Sequence, residues 1–161
     1  MTLPSRYGAR VQDSVTVHIN ASPQQCWDIV TDITRIGEWS TEVFEQEWLD
    51  GATGPAVGAR FRGHVKRNGR GPIYWSTCTI TECVPGEVFT FTVGIGKNVV
   101  NTWSYRFVAT DGGTDVTESY RLTPGLGTKV FVAIAGGRRN NTNVEGMKAT
   151  LAGVKAAAEA P

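Results

Sequence analysis

The chain has 161 residues, a net charge of +1 and 19% charged residues. Its length is typical of one domain, and the near-neutral charge gives no indication of a nucleic acid or an anionic membrane as partner. No apolar run approaches the roughly 18 residues of a membrane-spanning helix, and the first residues lack the apolar core of a signal peptide. Three cysteines without metal-ligand spacing are typical of reduced thiols. We therefore expect a cytoplasmic monomer or homodimer without stable membrane insertion.

The N-terminal part predicts an arm, a strand and the start of a helix. Residues 1–12 have no periodicity and are assigned to a flexible arm, whereas no repeat or linker divides the domain predicted over residues 13–161. Ser14–Asn20 alternates apolar and polar side chains, as a half-buried strand does. Ser22 followed by proline, with Gln25 three residues on, is the signature of a helix N-cap with a capping box. A second turn of helix is expected after a short break.

Six further segments are predicted to be strands, and five of them, all but the first, alternate with the same period of two. They are Val43–Leu49, Ala59–Arg67, Pro72–Val84, Glu87–Ile95, Val99–Ala109 and Thr114–Leu122. Tight turns such as Asn68-Gly69 and Pro85-Gly86 separate most of them. Because tight turns join antiparallel neighbours, the sequence predicts an antiparallel sheet.

The end of the chain, Leu126–Ala160, is predicted to be one long helix. Its apolar stripe, with steps of three and four residues, consists of Val130, Ile134, Gly137, Asn141, Val144, Met147, Leu151, Val154 and Ala158. Such a stripe has to be buried, and the sheet is the available partner. Glycine costs about 1 kcal/mol inside a helix, so we expect a bend at Gly136-Gly137 and a more mobile front half.

Several short motifs resemble those of a known family. They are Val17-x-Ile19-Asn20-Ala21-Ser22-Pro23-x-x-Cys26-Trp27-Asp28, Glu38-Trp39-Ser40, Val57-Gly58-Ala59-Arg60-Phe61, Glu82-x-x-Pro85-Gly86-x-x-Phe89-x-Phe91, Trp103-x-Tyr105 and Gly146-Met147-Lys148. The chain is similar in these to the polyketide cyclase/dehydrase and lipid transport superfamily, also called SRPBCC, START-like or Bet v 1-like. The resemblance implies an α+β helix-grip fold. In that fold a seven-stranded antiparallel sheet wraps a long C-terminal helix, with two short helices between strands 1 and 2 and an apolar cavity beneath the sheet.

Strand alternation predicts which side chains face that cavity. The predicted ligand-binding residues are Phe61, Tyr74, Ser76, Cys78, Phe89, Phe91, Val93, Asn101, Trp103, Tyr105, Glu118 and Tyr120 from the strands, and Val130, Ile134 and Asn141 from the helix. A mostly apolar wall with a few polar groups suits a small hydrophobic molecule with one or two anchoring oxygens. The alternative is that these side chains simply fill the interface between sheet and helix.

Glu118 is the most informative single residue, because it shares a predicted inner strand face with apolar side chains. Burial of a carboxylate raises its pKa, and a neutral carboxylic acid can donate a hydrogen bond or act as a general acid. Tyr105 and Tyr120 are predicted on matching faces and are the other catalytic candidates. The alternatives are a slip in strand register or an ion pair with Arg138, Arg106 or another arginine.

The remaining polar residues are predicted to lie at the surface. His18 and His64 lie on polar strand faces, and no cluster of metal ligands accompanies them, so we expect no metal site. No phosphate-binding glycine loop is present, and no cofactor is expected. The basic row Arg60, Arg62 and Lys66 is assigned to a solvated edge strand; the alternative is a docking face for an acidic or phosphopantetheine-bearing partner.

Three hypotheses for the function follow. The first is binding of a small hydrophobic molecule, such as a lipid, a polyketide or an aromatic compound. The second is a cyclase/dehydrase-type enzyme in which Glu118 and a tyrosine act as acid and base, with stabilisation of a developing enolate. The third is a protein-interaction module without a ligand, in which Phe91, Trp103 and Phe131 close the cavity.

Overall fold

The computed structural model describes residues 12–66, 72–123, 125 and 143–161. Within these residues the strands are β1 Gln12–Ile19, β2 Val43–Trp48, β3 Arg60–Lys66, β4 Ile73–Val84, β5 Val88–Ile95, β6 Asn98–Thr110 and β7 Gly113–Leu122. The helices described are α1 Pro23–Thr31, a 3-10 helix Ile33–Glu38, and α2 over residues 143–158. This element order confirms the strands, the two short helices and the C-terminal helix predicted from the sequence.

The seven described strands form one antiparallel sheet in the order β1-β7-β6-β5-β4-β3-β2. Each strand from β2 to β7 pairs with its neighbour in sequence, and β1 closes the series on β7. The sheet therefore grows by successive hairpins, with β1 and β2 at its edges. This is the helix-grip fold that the family resemblance implies.

The predicted capping box at the start of α1 is confirmed. The Gln25 amide N–H donates to Ser22 Oγ at 3.2 Å, and the Ser22 amide N–H donates to Gln25 Oε1 at 3.0 Å. The two bonds satisfy backbone donors that would otherwise lack partners at the helix start. They fix α1 so that Cys26 and Trp27 are buried.

The core lies between the inner face of the sheet and α2. Leu151 and Val154 of α2 are fully buried and share one cluster with side chains of α1 and of the sheet. The sheet contributes Ile19, Phe61, Cys78, Ile80, Phe89, Tyr105, Phe107 and Val116 to this cluster. A second cluster joins Tyr120 and Leu122 to Met147. The apolar stripe predicted for the last helix is thus buried against the sheet over its described half.

The end of α2 is also fastened to the β1–α1 connection by polar contacts. Lys155 Nζ donates to the His18 carbonyl at 2.9 Å, and the Asn20 amide N–H donates to Glu159 Oε1 at 2.8 Å. Because these contacts join residues far apart in sequence, they stabilise the position of α2 against the sheet in addition to the apolar packing.

The basic row does not lie on an edge strand, so that assignment was wrong. β3 is paired on both sides, because β2 covers its outer edge. Its side chains lie opposite acidic ones: Arg60 pairs with Asp50 at 2.9 Å, Arg62 with Glu47, and His64 with Glu45 at 2.6 Å. The alternation of side chains within β3 predicts its solvated face correctly. It carries no information on which strands pair with β3.

The remaining sequence predictions concern one strand boundary, two glycine-containing sites and the two histidines. Gln12 belongs to β1, although the sequence placed it in the arm. The bend expected at Gly136-Gly137 and the turn at Asn68-Gly69 lie outside the described residues. His18 contacts Asp115 at 2.8 Å on the outer face, and His64 stacks on Trp75 there with ring centroids 4.1 Å apart.

The two glycines on the described part of α2 give a matched test of the packing. A Cβ added at Gly153 would lie 2.2 Å from Trp39 Cβ, whereas one at Gly146 would meet Thr41 Oγ1 at 3.6 Å, an ordinary contact. Alanine is favoured over glycine in a helix by about 1 kcal/mol, but overpacking costs about 1–3 kcal/mol.

We predict that Gly146→Ala stabilises the protein by roughly 0.5–1 kcal/mol and that Gly153→Ala destabilises it by roughly 1–2 kcal/mol. Urea unfolding at an unchanged m-value measures both. Equal shifts of the two variants in the same direction would contradict the close approach of Trp39 to α2.

Candidate functional site

A cavity of about 150 Å³ lies between the inner face of the sheet and α2, on the side of β2 and the segment before it. Its described lining residues are Ile36, Ser40, Thr41, Glu42, Val43, Gln46, Val65, Tyr74, Ser76, Cys78, Phe91, Val93, Ile95, Val100, Asn101, Trp103, Tyr105, Glu118, Asn143, Gly146, Met147 and Thr150. Thr41 and Ile95 are exposed, so the cavity reaches solvent at their side.

The structure brings nine of the predicted ligand-binding residues into this lining. They are Tyr74, Ser76, Cys78, Phe91, Val93, Asn101, Trp103, Tyr105 and Glu118. Phe61 and Phe89 face inward but are fully buried in the core beside the cavity. Tyr120 is buried against Trp103, with ring centroids 4.9 Å apart, and does not line the cavity. Val130, Ile134 and Asn141 lie outside the described residues.

Most of the lining residues outside the predicted set fall into two groups, and the others are Val65, Ile95, Val100 and Met147. One group is the connection from the 3-10 helix into β2, from Ile36 to Gln46, which has no periodicity that assigns an inner face. The other group is on α2, where Asn143, Gly146 and Thr150 line the cavity. These α2 residues recur at helical spacing, one position away from the apolar stripe. A helical-wheel plot that included polar residues would have found them.

Tyr105 and Glu118 form the central polar pair of the cavity. The register of β6 and β7 sets the two residues directly opposite each other, so both side chains lie on the inner face and within reach. Tyr105 Oη donates to Glu118 Oε1 at 2.7 Å. The pairing shows no register slip. Arg106 is exposed, so the alternative of an ion pair with Arg106 was wrong; Arg138 lies outside the described residues.

The environment of Glu118 favours its neutral form. The side chain is 3% exposed, and this burial raises the pKa of the carboxyl group from 4.5 to about 8, while the hydrogen bond from Tyr105 lowers it by a smaller amount. Burial and the nearby carboxyl group together raise the pKa of Tyr105 well above 10. Near neutral pH the pair therefore consists of a carboxylic acid and a phenol. Since Tyr105 donates to Oε1, the acid proton is available on Oε2.

Three buried polar atoms of the cavity lining have no hydrogen-bond partner among the described residues. They are Glu118 Oε2, Asn101 Oδ1 and Asn143 Nδ2. Asn101 and Asn143 are each 7% exposed. The three side chains come from β7, β6 and α2, so the sheet and the helix both contribute. A buried polar atom without a partner costs roughly 1–3 kcal/mol, and a ligand that supplies the missing partners would recover that cost.

The Cys78 thiol of the lining is not activated as a nucleophile. Burial raises the pKa of the Cys78 thiol to about 12, so this group remains neutral and acts as an apolar wall. Among the described residues no group of three or more His, Cys, Asp or Glu side chains could hold a metal ion. The described helices also include none that is long and apolar enough to cross a membrane.

A curved antiparallel sheet closed by a C-terminal helix, with a partly polar cavity between them, defines a helix-grip domain built around an internal cavity. The chain belongs to the polyketide cyclase/dehydrase and lipid transport family, whose sequence profile matches residues 10–159. No functionally curated protein matches it significantly.

Solved structures with the same fold support this assignment. A polyketide cyclase-like protein from Corynebacterium glutamicum is 28% identical, with 90% of this chain and 89% of that chain covered and a TM-score of 0.62. A protein from Chromobacterium violaceum is 15% identical over 94% of this chain and 99% of its own, with a TM-score of 0.69. The di-domain ARO/CYC StfQ from the steffimycin biosynthetic pathway is 12% identical over 92% of this chain and 50% of its own, with a TM-score of 0.72. The last two show the fold alone.

The raised pKa of Glu118 predicts a specific dependence of stability on pH. Between pH 4.5 and about pH 8 the unfolded chain has lost the Glu118 proton and the folded chain keeps it. Unfolding then releases a proton, so stability falls as pH rises, by roughly 1 kcal/mol for each pH unit.

We predict that wild type loses stability relative to Glu118→Gln between pH 5 and pH 8, because the glutamine cannot ionise. Urea unfolding of both proteins at four pH values measures the difference, and other titrating groups cancel in the comparison. Parallel stability curves would mean that Glu118 ionises at its ordinary pKa.

Proposed function

We propose that this protein binds a small aromatic molecule in the cavity between the sheet and α2. The observation that carries the proposal is a preformed, mostly apolar cavity into which aromatic side chains and a buried carboxylic acid project. Phe91, Trp103 and Tyr105 supply the rings, and Glu118 supplies the acid. Sites for small ligands generally combine an apolar wall with a few placed polar groups.

The size of the cavity favours aromatic ligands over the other two classes considered. An apolar cavity of about 150 Å³ holds a molecule the size of benzene, and this cavity has about that volume. A complete lipid chain or a multi-ring polyketide is larger. The exposed residues Thr41 and Ile95 at the margin leave room for part of a larger ligand to extend into solvent.

The neutral state of Glu118 supports binding of a ligand with a carbonyl or hydroxyl oxygen. A carboxylic acid whose pKa lies near 8 donates its Oε2 proton to such an oxygen at neutral pH. The bond from Tyr105 to Oε1 holds the carboxyl plane in one orientation. The family includes polyketide cyclases and lipid transport proteins, which agrees with a carbonyl-bearing or hydrophobic ligand.

A second candidate function is proton-transfer catalysis of the cyclase/dehydrase type. It is favoured by the same pKa, because a general acid works best when its pKa lies near the working pH. Glu118 is then the acid, whereas Tyr105 stabilises the carboxylate that remains after proton transfer. Tyr105 is not suited to act as a base at neutral pH, since its pKa is raised well above 10. The name of the ARO/CYC neighbour also makes this candidate worth testing.

The third hypothesis, an interaction module with a closed cavity, receives less support. Phe91 and Trp103 line an existing cavity, and Phe131 lies outside the described residues. We further infer that residues 13–161 form a single domain and that the protein works in a reducing compartment such as the cytoplasm, as a monomer or homodimer. Cys26, Cys78 and Cys83 are all free thiols, which agrees with such a compartment.

Filling the cavity should abolish binding. Ser76 is buried on the inner face of β4 and Thr77 lies on the opposite face, so Ser76→Phe and Thr77→Phe add the same ring on the two sides of one strand. We predict that Ser76→Phe weakens binding of ethylbenzene at least roughly tenfold and that Thr77→Phe does not. Isothermal titration calorimetry measures both. Equal effects of the two variants would show that the ligand does not bind in this cavity.

Glu118→Gln separates binding from catalysis, because the glutamine amide still donates a hydrogen bond but cannot transfer a proton. If the protein is an acid catalyst, Glu118 donates a proton to the carbonyl oxygen of acetophenone while solvent water removes a methyl proton. Wild type then accelerates deuterium exchange into the methyl group, and the variant loses roughly 100-fold of that rate. Proton NMR in D₂O follows the exchange. Retention of the full rate in the variant would exclude Glu118 as the acid. If wild type does not accelerate the exchange, the catalytic candidate is rejected and only the binding function remains.

A further inference from the structure

We propose that Glu118, Asn101 and Asn143 form a recognition site for an uncharged ring compound that carries both a carbonyl oxygen and a hydroxyl group. This inference rests on the proposed binding function and specifies the ligand class. It starts from the three unpartnered polar atoms in the cavity lining, each on a side chain that is at least nine-tenths buried.

The chemistry of the three atoms defines what the ligand must present. Glu118 in its acid form offers a donor at Oε2, so the ligand needs an acceptor there. Asn101 Oδ1 is an acceptor and requires a ligand donor, whereas Asn143 Nδ2 is a donor and requires a second acceptor. A carbonyl group satisfies Glu118. A hydroxyl group can donate to Asn101 Oδ1 and can accept from Asn143 Nδ2.

The location of the three side chains explains why a ring fits between them. Asn101 and Glu118 lie on neighbouring strands of the sheet, whereas Asn143 lies on α2 across the cavity. The ring then occupies the apolar space bounded by Phe91, Val93 and Met147, and its polar substituents reach both layers. A compound without such substituents leaves three buried groups unpaired.

The charges that face Glu118 favour an uncharged ligand. The ionisable groups of the described lining are Glu42 before β2, Tyr74 and Cys78 on β4, and Tyr105 on β6. The described lining of α2 contributes only uncharged side chains. A carboxylate ligand would be desolvated next to two acidic side chains, which is unfavourable. An ammonium ligand would need a carboxylate partner, which Glu42 or an ionised Glu118 would supply.

Four single-ring probes of similar size test the inference by calorimetry at pH 6.5: ethylbenzene, acetophenone, 3-hydroxyacetophenone and benzylammonium. We expect 3-hydroxyacetophenone to bind about tenfold or more tightly than ethylbenzene, because the apolar probe leaves buried polar groups unpaired. Acetophenone should lie between them. Ethylbenzene binding as tightly as 3-hydroxyacetophenone would overturn the inference while leaving the proposed function intact. Benzylammonium as the tightest of the four would also overturn it, because a carboxylate and not the neutral acid would then dominate recognition.

Variants assign the hydroxyl contact to the two asparagines. Asn101→Leu and Asn143→Leu, made separately in the two layers, should each lower the affinity ratio of 3-hydroxyacetophenone to acetophenone by roughly fivefold or more. Asn98→Leu, the same change at an exposed residue of β6 outside the lining, should leave that ratio unchanged. Near-UV circular dichroism checks the fold of each variant. An unchanged ratio in whichever asparagine variants fold would overturn the assignment. If no probe binds to wild type at all, the proposed binding function itself fails, which is a different result.

Discussion

Ten residue pairs join β6 to β7 in unbroken register, from Asn101 opposite Leu122 to Thr110 opposite Gly113. Both the core and the cavity depend on this pairing. A slip of one residue would turn Val116 and Glu118 to the outer face, which would empty part of the core and remove the acid from the cavity. The slip is opposed from the inside, because Val116 is fully buried beside Leu151 and Val154. Packing against α2 therefore fixes the register that creates the polar pair.

The same pairing explains how a carboxyl group is tolerated in the interior. An ionised Glu118 would lack a compensating charge among the residues it contacts in the described structure, so burial drives it to the neutral acid. Tyr105 directly opposite satisfies one oxygen. The second oxygen remains unsatisfied in the protein. Apolar groups of the same shape in place of Tyr105 and Glu118 would cost the core little stability, so a ligand explains the buried acid better than stability does.

Much of the fold and part of the site could be predicted from the sequence, because strand alternation is a local property of the chain. Side chains alternate strictly along a strand, so Ser76, Cys78 and Glu118 could be assigned to the inner face without any structure. The alternation does not show whether an inward-facing residue lies in the packed core or at the cavity. Phe89 and Phe91 therefore looked equivalent, although only Phe91 reaches the cavity. Strand order is likewise a non-local property, which is why β3 was mistaken for an edge.

The inner face divides along the strands into a core half and a cavity half, and Cys78 and Tyr105 belong to both. On β4, β5 and β6 the large side chains Ile80, Phe89 and Phe107 pack tightly in the core, whereas positions further toward the cavity carry Ser76, Val93 and Asn101. α2 repeats the change, from Leu151 and Val154 in the core to Asn143 and Gly146 at the cavity. Smaller and more polar residues at one end leave space and unpaired groups, and close packing at the other end holds the sheet and helix together. Side chains that line only the cavity can therefore change without altering the contacts of the core.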